Sequence, residues 1–512
     1  MLVKTYGSAV FGIQAITVTV EVYMDTGIQF FMVGLPDNAV KESHQRIESA
    51  LRNNGYRIPG KKIIINMAPA DIRKEGSSYD LTIAIGILAA NEIIKTTRLE
   101  QYMIMGELSL DGGLLPIKGA LPIAIEAQKR GFKGILIPMQ NAQEAAIVAD
   151  LEVYGIEKIA DVIAFFNGTA ELPRARMHDS ADFDRLMLQY EYDFSDVRGQ
   201  ENIKRALEIA AAGGHNVILI GPPGAGKTML AKRLPSILPP LNLQEAVETT
   251  KIHSVAGKLG NNRSLVSIRP FRAPHHTVSN MALVGGGSIP QPGEISMAHN
   301  GVLFLDELPE FKRTVLEVLR QPMEDRVVTI SRAKMTLEYP ASFMLVAAMN
   351  PCPCGFYNHP TQDCQCGAGE VKKYINRISG PLFDRIDIHV EVVPVDFKKL
   401  SDSRPSEHSD QIRARVIAAR HIQEKRFEGL TGIYCNSQLP SNMLHQVCNI
   451  GETGNQLLKT AMDKLGLSAR AYDRILKVSR TIADLDQCDG IKLEHLAEAI
   501  NYRSLDRDNW GR

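Results

Sequence analysis

The chain has 512 residues, 58 Lys plus Arg balanced by 58 Asp plus Glu, and 44% apolar residues. That length exceeds what a single core sustains and predicts about three domains. Zero net charge gives no global field toward nucleic acid, so any such contact must come from a local patch. No run approaches the roughly 20 apolar residues that span a bilayer. The opening stretch, residues 1–6, lacks the charged-then-apolar plan of a signal peptide. Seven cysteines, four of them clustered, then predict a cytoplasmic protein with metal-bound or free thiols rather than disulfides.

Residues 1–170 read as an α+β domain. Apolar and polar residues alternate over 16–22, 28–34 and 62–67, the period of half-buried strands. Residues 38–53 carry helix periodicity, and 134–138 read as a short buried strand followed by a helix from Asn141. The stretches Lys74-Glu75-Gly76-Ser77-Ser78 and Gly106-Glu107-Leu108-Ser109-Leu110-Asp111-Gly112 resemble the proteolytic domain of Lon-type proteases, a ribosomal-protein-like α+β fold. Ser78 falls where that family has its nucleophile. The family's lysine should lie shortly after a Pro-Ile-Gly-Gly stretch, but the chain reads Pro116-Ile117-Lys118-Gly119-Ala120-Leu121-Pro122-Ile123, with no lysine at the matching places. A serine without a base is a poor nucleophile. The expectation is a Lon-like fold without proteolysis, Lys118 being the one base that could reach Ser78 from another direction. Residues 171–195, with Arg174, Arg176, His178, Asp179, Asp182 and Asp184, read as a charged linker.

Residues 196–395 read as a nucleotide-binding α/β domain. A helix is predicted over 201–212 and a buried strand over 217–220. Then comes Gly221-Pro222-Pro223-Gly224-Ala225-Gly226-Lys227-Thr228, a G-x-x-x-x-G-K-[ST] loop between strand and helix. Its glycines let successive N–H groups point at phosphate oxygens, and the helix start adds partial positive charge. Lys227 should reach the β- and γ-phosphates of ATP, and the Thr228 hydroxyl should hold Mg²⁺. The buried run 301–305 ends in Asp306-Glu307: Asp306 to order Mg²⁺, directly or through water, and Glu307 to polarise the attacking water. A further strand, 343–349, ends at Asn350.

These motifs resemble the AAA+ ATPases. The resemblance implies that Asn350 is sensor 1, contacting γ-phosphate and water. In 378–387 it implies an arginine finger acting on a neighbouring subunit's nucleotide, Arg385 first and Arg377 second. Arg269-Pro270-Phe271-Arg272-Ala273-Pro274-His275-His276, Gly285-Gly286-Gly287 and Pro292-Gly293-Glu294-Ile295-Ser296 narrow the match to the magnesium-chelatase-like group called ComM or YifB. That group implies a homo-oligomeric ring, a hexamer, with the His275 to Gly287 segment facing its pore.

Cys352-Pro353-Cys354 and Cys364-Gln365-Cys366 supply two thiol pairs, a donor set for tetrahedral Zn²⁺ in a spacing tighter than C-x₂-C; buried or redox-sensitive thiols are the other reading. His359 and Asp363 lie between them. Lys372, Lys373, Tyr374 and Arg377 follow, a basic and aromatic group suited to phosphate and base contacts. Pro394, Ser401, Ser403, Pro405 and Ser406 mark a boundary. Residues 396–512 read as a helical lid, with helices over 412–427, 455–465, 469–485 and 493–502, and Trp510 as packing. By the AAA+ resemblance Arg470, opening the third of these, is sensor 2. The combined expectation is a Mg²⁺-dependent ATPase ring acting on single-stranded or branched DNA, with no membrane contact. The alternatives are a chelatase-type metal-insertion motor subunit and a protein-remodelling ring.

Overall fold

The computed structural model describes residues 1–176, 190–259, 265–287, 290–332, 335–359, 361–394, 406–430 and 432–503. Most of the expected linker, with His178, Asp179, Asp182 and Asp184, lies outside the described residues, as do Ser401, Ser403, Pro405 and Trp510. The chain divides into two compact units, Met1–Asp184 with Leu243–Val266 and Pro290–Pro292, and Arg185–Asn242 with Ser267–Ile289 and Gly293–Arg512.

The first unit opens with a long hairpin, β1 (Leu2–Phe11) and β2 (Gln14–Asp25), paired antiparallel from Leu2↔Tyr23 to Phe11↔Gln14. β3 (Phe30–Val33) and β4 (Lys62–Ala68) flank α1 (Asn38–Asn53). The Asp37 side chain caps α1 by accepting from the Val40 N–H at 2.8 Å. Val40, Ile47, Ala50 and Leu51 form its buried stripe. α2 (Asp80–Ala90) is buried along its whole length. β5 (Tyr102–Ile104), α3 (Ala120–Lys129), β6 (Gly134–Pro138), α4 (Met139–Ala145), β7 (Glu152–Ile156), α5 (Ile159–Asn167) and β8 (Arg174–Ala175) complete an eight-stranded mixed sheet of order β8-β7-β6-β5-β1-β2-β4-β3.

A helix from later in the chain, Leu243–Val255, belongs to this same unit and packs on α3. Ser254 anchors it. Its hydroxyl donates to the Glu144 carboxylate on α4, and its carbonyl accepts from the Gly119 N–H at 3.3 Å. Glu144 also accepts from the Leu121 N–H at 2.8 Å. Burial pushes the Glu144 carboxyl above its ordinary range, against these hydrogen bonds. The compact units therefore do not follow the linear order of residues 196–395.

In the second unit α6 (Glu201–Gly213) precedes β9 (Val217–Ile220), α7 (Lys227–Arg233) and the short β10 (Phe271–Arg272). β11 (Val302–Leu305), α8 (Arg320–Asp325), β12 (Met344–Met349), α9 (Ala368–Ile375) and β13 (Ile388–Glu391) follow. The five strands form an all-parallel sheet of order β10-β11-β12-β9-β13. β9, β11 and β12 are buried at every residue, as a sheet covered on both faces requires. The helices α10 (Ser409–Arg426), α11 (Ser441–Val447), α12 (Gly451–Leu465), α13 (Ala469–Leu485) and α14 (Leu493–Asn501) close the unit, and α10 and α13 both pack on α6.

A buried ionic group joins this helical part to the sheet. Asp387, just before β13, accepts from the Asn216 N–H at 3.0 Å, lies 3.4 Å from His215 Nδ1, and pairs with Arg474 of α13 at 2.9 Å. Burial alone would raise its pKa, but Arg474 and His215 outweigh it and hold the carboxyl well below the usual range. Removing one partner of such a buried group strands the other charge, which typically costs about 3–5 kcal/mol. Asp387→Ala should therefore destabilise the protein by about 3–5 kcal/mol in urea unfolding followed by circular dichroism. A midpoint equal to wild type would show that the group contributes nothing net.

Candidate functional site

Parallel strands place their C-terminal ends along one edge, where an open α/β sheet binds its ligands. Four loops leave that edge: residues 221–226 after β9, 306–307 after β11, Asn350 after β12, and the segment after β10. Because β12 lies between β9 and β11, Asn350 falls beside both the glycine-rich loop and the carboxylates.

Gly224 (φ +76°) and Gly226 (φ +86°) take left-handed conformations that favour glycine. The loop curls around Lys227, whose Nζ donates to the Gly221 carbonyl at 2.6 Å, the Pro222 carbonyl at 2.9 Å and Asn350 Oδ1 at 3.1 Å. Lys227 is buried, which lowers its pKa, while Asp306 and Glu307 act in the opposite direction. Thr228 Oγ1 donates to Asp306 Oδ2 at 2.6 Å. This pair of oxygens suits a hard cation such as Mg²⁺, which is held through few carboxylates plus substrate phosphate. Gln200 steadies the loop from outside, its Nε2 donating to the Ala225 carbonyl at 2.9 Å.

Glu307 stands at φ +51°, rare for a residue with a side chain. Its carboxylate lies 3.2 Å from His276 Nδ1, and the His276 ring packs on His275 with centroids 4.1 Å apart. Sequence reasoning missed this contact, having assigned the histidines only to a pore-facing loop. The signal was in the strand order: the segment after β10 must return beside the end of β11.

The arginines fall elsewhere. Arg385 is buried, with Nη2 2.6 Å from Glu324 on α8 and Nη1 donating to the Pro381 carbonyl at 2.6 Å. Arg377 is half-exposed, pairs with Glu310 at 2.8 Å and lies over the Tyr374 ring. With Arg313, Lys373 and Phe311 it lines an open cleft of about 490 Å³. Arg470 is exposed in the first turn of α13 and, among the described residues, makes no hydrogen bond or ion pair with the loop or the carboxylates.

Cys352, Cys354, Cys364 and Cys366 converge so that their sulfurs all lie within 4.8 Å of one another. His359 instead accepts from the Thr361 and Gln362 N–H groups, so it does not join them.

In the first unit Ser78 is half-buried, and among the described residues its hydroxyl makes no hydrogen bond to a lysine. Lys74 is fully buried and donates to the Gly34 and Pro69 carbonyls, while Lys118 lies against Gly257. Leu121, near the place of the Lon lysine, is buried in the core.

Residues 193–400 match the family model described as magnesium chelatase, subunit ChlI. Residues 20–141 match that of subunit ChlI of Mg-chelatase, and residues 406–503 that of the ChlI C-terminal region. The chain is 44% identical to competence protein ComM of Haemophilus influenzae over 99% of this chain and 98% of that protein. It is 45% identical to protein YifB of Escherichia coli over 98% of this chain and 96% of that one. A partial match, 30% identical over 31% of this chain and 33% of the relative, is to Lon protease 2 of Bacillus subtilis.

Proposed function

The chain belongs to the ComM and YifB family of magnesium-chelatase-like AAA+ ATPases, and from that premise we propose a DNA-directed ring motor: a hexamer that hydrolyses ATP and acts as a helicase or branch-migration factor in recombination or natural transformation. The ATPase part rests on one observation above all. At the strand ends Lys227 contacts Asn350 and the adjacent Thr228 contacts Asp306, with Glu307 next in the chain.

In this reading the residues of 221–228 wrap the phosphates, with Lys227 on the β- and γ-oxygens. Thr228 and Asp306 hold Mg²⁺, which when bound neutralises charge on those oxygens. Glu307, oriented by His276, takes a proton from the attacking water, and Asn350 holds that water and the γ-phosphate. Arg470 approaches from the lid. Arg385 serves a neighbouring subunit and must leave Glu324 to do so. Zn²⁺ on the four cysteines completes the cofactors. Residues 1–170 form a Lon-like domain without proteolysis, 196–395 the motor, apart from Leu243–Val266 and Pro290–Pro292, which belong to the first compact unit, and 396–512 the lid. The cytoplasm, which keeps thiols reduced, is the matching compartment. No helix among the described residues is long and apolar enough to cross a membrane.

The DNA part rests on the open cleft carrying Arg313, Lys373 and Arg377, and on a relative named for competence. A chelatase-type motor subunit is the second reading, favoured by the three matched chelatase segments.

ATPase rates without DNA, with single strands and with forks separate the two. DNA should stimulate wild type, and Lys227→Ala should lose nucleotide binding and serve as the blank. A DNA-indifferent rate above that blank moves the assignment to the chelatase-type motor. Glu307→Gln should still bind ATP but turn it over about 10²–10⁴-fold more slowly; unimpaired turnover would mean another group activates the water. Arg385→Ala should bind ATP normally and lose about 10³-fold or more in rate. Mixing it with Lys227→Ala should restore part of that rate, since each supplies what its neighbour lacks. No recovery on mixing removes the finger from Arg385.

A further inference from the structure

We propose that Cys352, Cys354, Cys364 and Cys366 form a tetrathiolate Zn²⁺ site that braces the outer wall of the phosphate loop, so that zinc sets the affinity for ATP. The consequence for ATP rests on the nucleotide-site reading above; the metal site itself does not.

The sulfur positions carry the metal site. A tetrahedron with metal–sulfur bonds of about 2.3 Å has sulfur–sulfur edges of about 3.8 Å. The Cys352–Cys354, Cys352–Cys364 and Cys354–Cys364 sulfurs are 3.3, 3.6 and 3.6 Å apart, within a few tenths of an ångström of those edges. All seven cysteines are unbridged, and these four alone converge among the described residues. Four thiols and Zn²⁺ give a doubly negative centre with release of four protons. Backbone donors are placed to meet that charge. The Cys354 N–H donates to Cys366 Sγ at 3.4 Å, and N–H groups of Gly355 and Tyr357 face Cys352 while those of Phe356 and Gln365 face Cys354. Such donors stabilise metal-bound thiolates as second-layer partners.

The coupling follows from what the knuckle touches. Gly355 completes the turn begun at Cys352, its N–H donating to the Cys352 carbonyl at 3.0 Å. It stands at φ +86° directly on Pro223 of the phosphate loop. A methyl group there would lie 2.6 Å from Pro223 Cδ, so backbone meets proline ring with no room to spare. On one side of the knuckle, Cys352 follows Asn350, which holds Lys227. On the other, Cys366 leads into α9, whose Tyr374 hydroxyl lies in reach of the Asn350 backbone N–H. Metal therefore closes a loop of chain that clamps both Pro223 and Asn350. The segment is half-exposed at three of its four cysteines, where a metal would add a cross-link.

The test uses the full-length chain. Elemental analysis should find one zinc per chain, and Co²⁺ in its place should show the intense thiolate charge-transfer band of a tetrathiolate. Cys364→Ser should lose the metal and weaken ATP binding at least tenfold. Cys488→Ser, outside the cluster, should keep both. Chelator-stripped wild type should show the same weakening and regain affinity when Zn²⁺ is returned, which separates coupling from misfolding. Iron in place of zinc, a Cys352–Cys354 disulfide, or no metal overturns the site. Zinc present but with ATP affinity unchanged on stripping overturns the coupling. Should Lys227→Ala bind ATP as wild type does, the nucleotide-site reading fails instead, while the zinc count still stands.

Discussion

An all-parallel sheet must be covered on both faces and is open only along its two strand-end edges. Most of what this protein can do chemically follows from that constraint. β9, β11 and β12 carry no polar side chain along their lengths. Polar groups appear at the first residue or two past each strand: the glycine-rich loop, Asp306-Glu307 and Asn350. The strand order then decides who meets whom. Because β12 lies between β9 and β11, its terminal Asn350 reaches the Lys227 ammonium, while Thr228 reaches Asp306 across the end of the same strand. The buried ammonium spends its three N–H donors on two carbonyls and one amide oxygen, contacts that phosphate oxygens would exchange for. Burial pushes its pKa down, against the pull of Asp306 and Glu307.

How legible these features were depends on whether the signal was local. The helix at Asn38–Asn53 was readable because it lies on a surface: an apolar stripe against charges gives a 3.6-residue period. α2 was not, because Asp80–Ala90 is buried on every side and a uniformly apolar segment has no period to read. The strand–glycine-rich loop–helix of 217–233 was readable because its residues are adjacent in the chain, and the strand of 302–305 because its apolar run ends abruptly in Asp306-Glu307. The His276–Glu307 contact was not, since it joins residues 31 apart through sheet order alone. For the same reason the Leu243–Val255 helix could not be assigned to the first unit: its anchor is Glu144, more than a hundred residues earlier. The four cysteines stand between these cases. Their C-x-C spacing was an ambiguous signal, and only the fold of the intervening loop brings the two pairs together.

The helical part is tied to the motor by charge as well as by apolar packing. Asp387 meets Arg474, while within the helical part a second buried carboxylate, Asp484 of α13, takes Arg426 of α10 at 2.8 Å beside Arg480 at 3.0 Å. Glu208 of α6 takes Arg415 of α10 at 2.5 Å. Ion pairs of this kind add little net stability against apolar replacements, but they tolerate few alternative arrangements.

Arg385 lies just ahead of β13, two residues before Asp387, and its burial bears on how a ring could control turnover. Its two Nη groups are held within its own chain by Glu324 and the Pro381 carbonyl, and its buried Nε has no hydrogen-bond partner among the described residues. A group that is to stabilise charge on a neighbour's nucleotide cannot be held this way while it acts. Were Arg385 to serve a neighbour's nucleotide, it would have to exchange the Glu324 carboxylate for phosphoryl oxygens, and Asp387, two residues on, ties the same segment to Arg474 of α13.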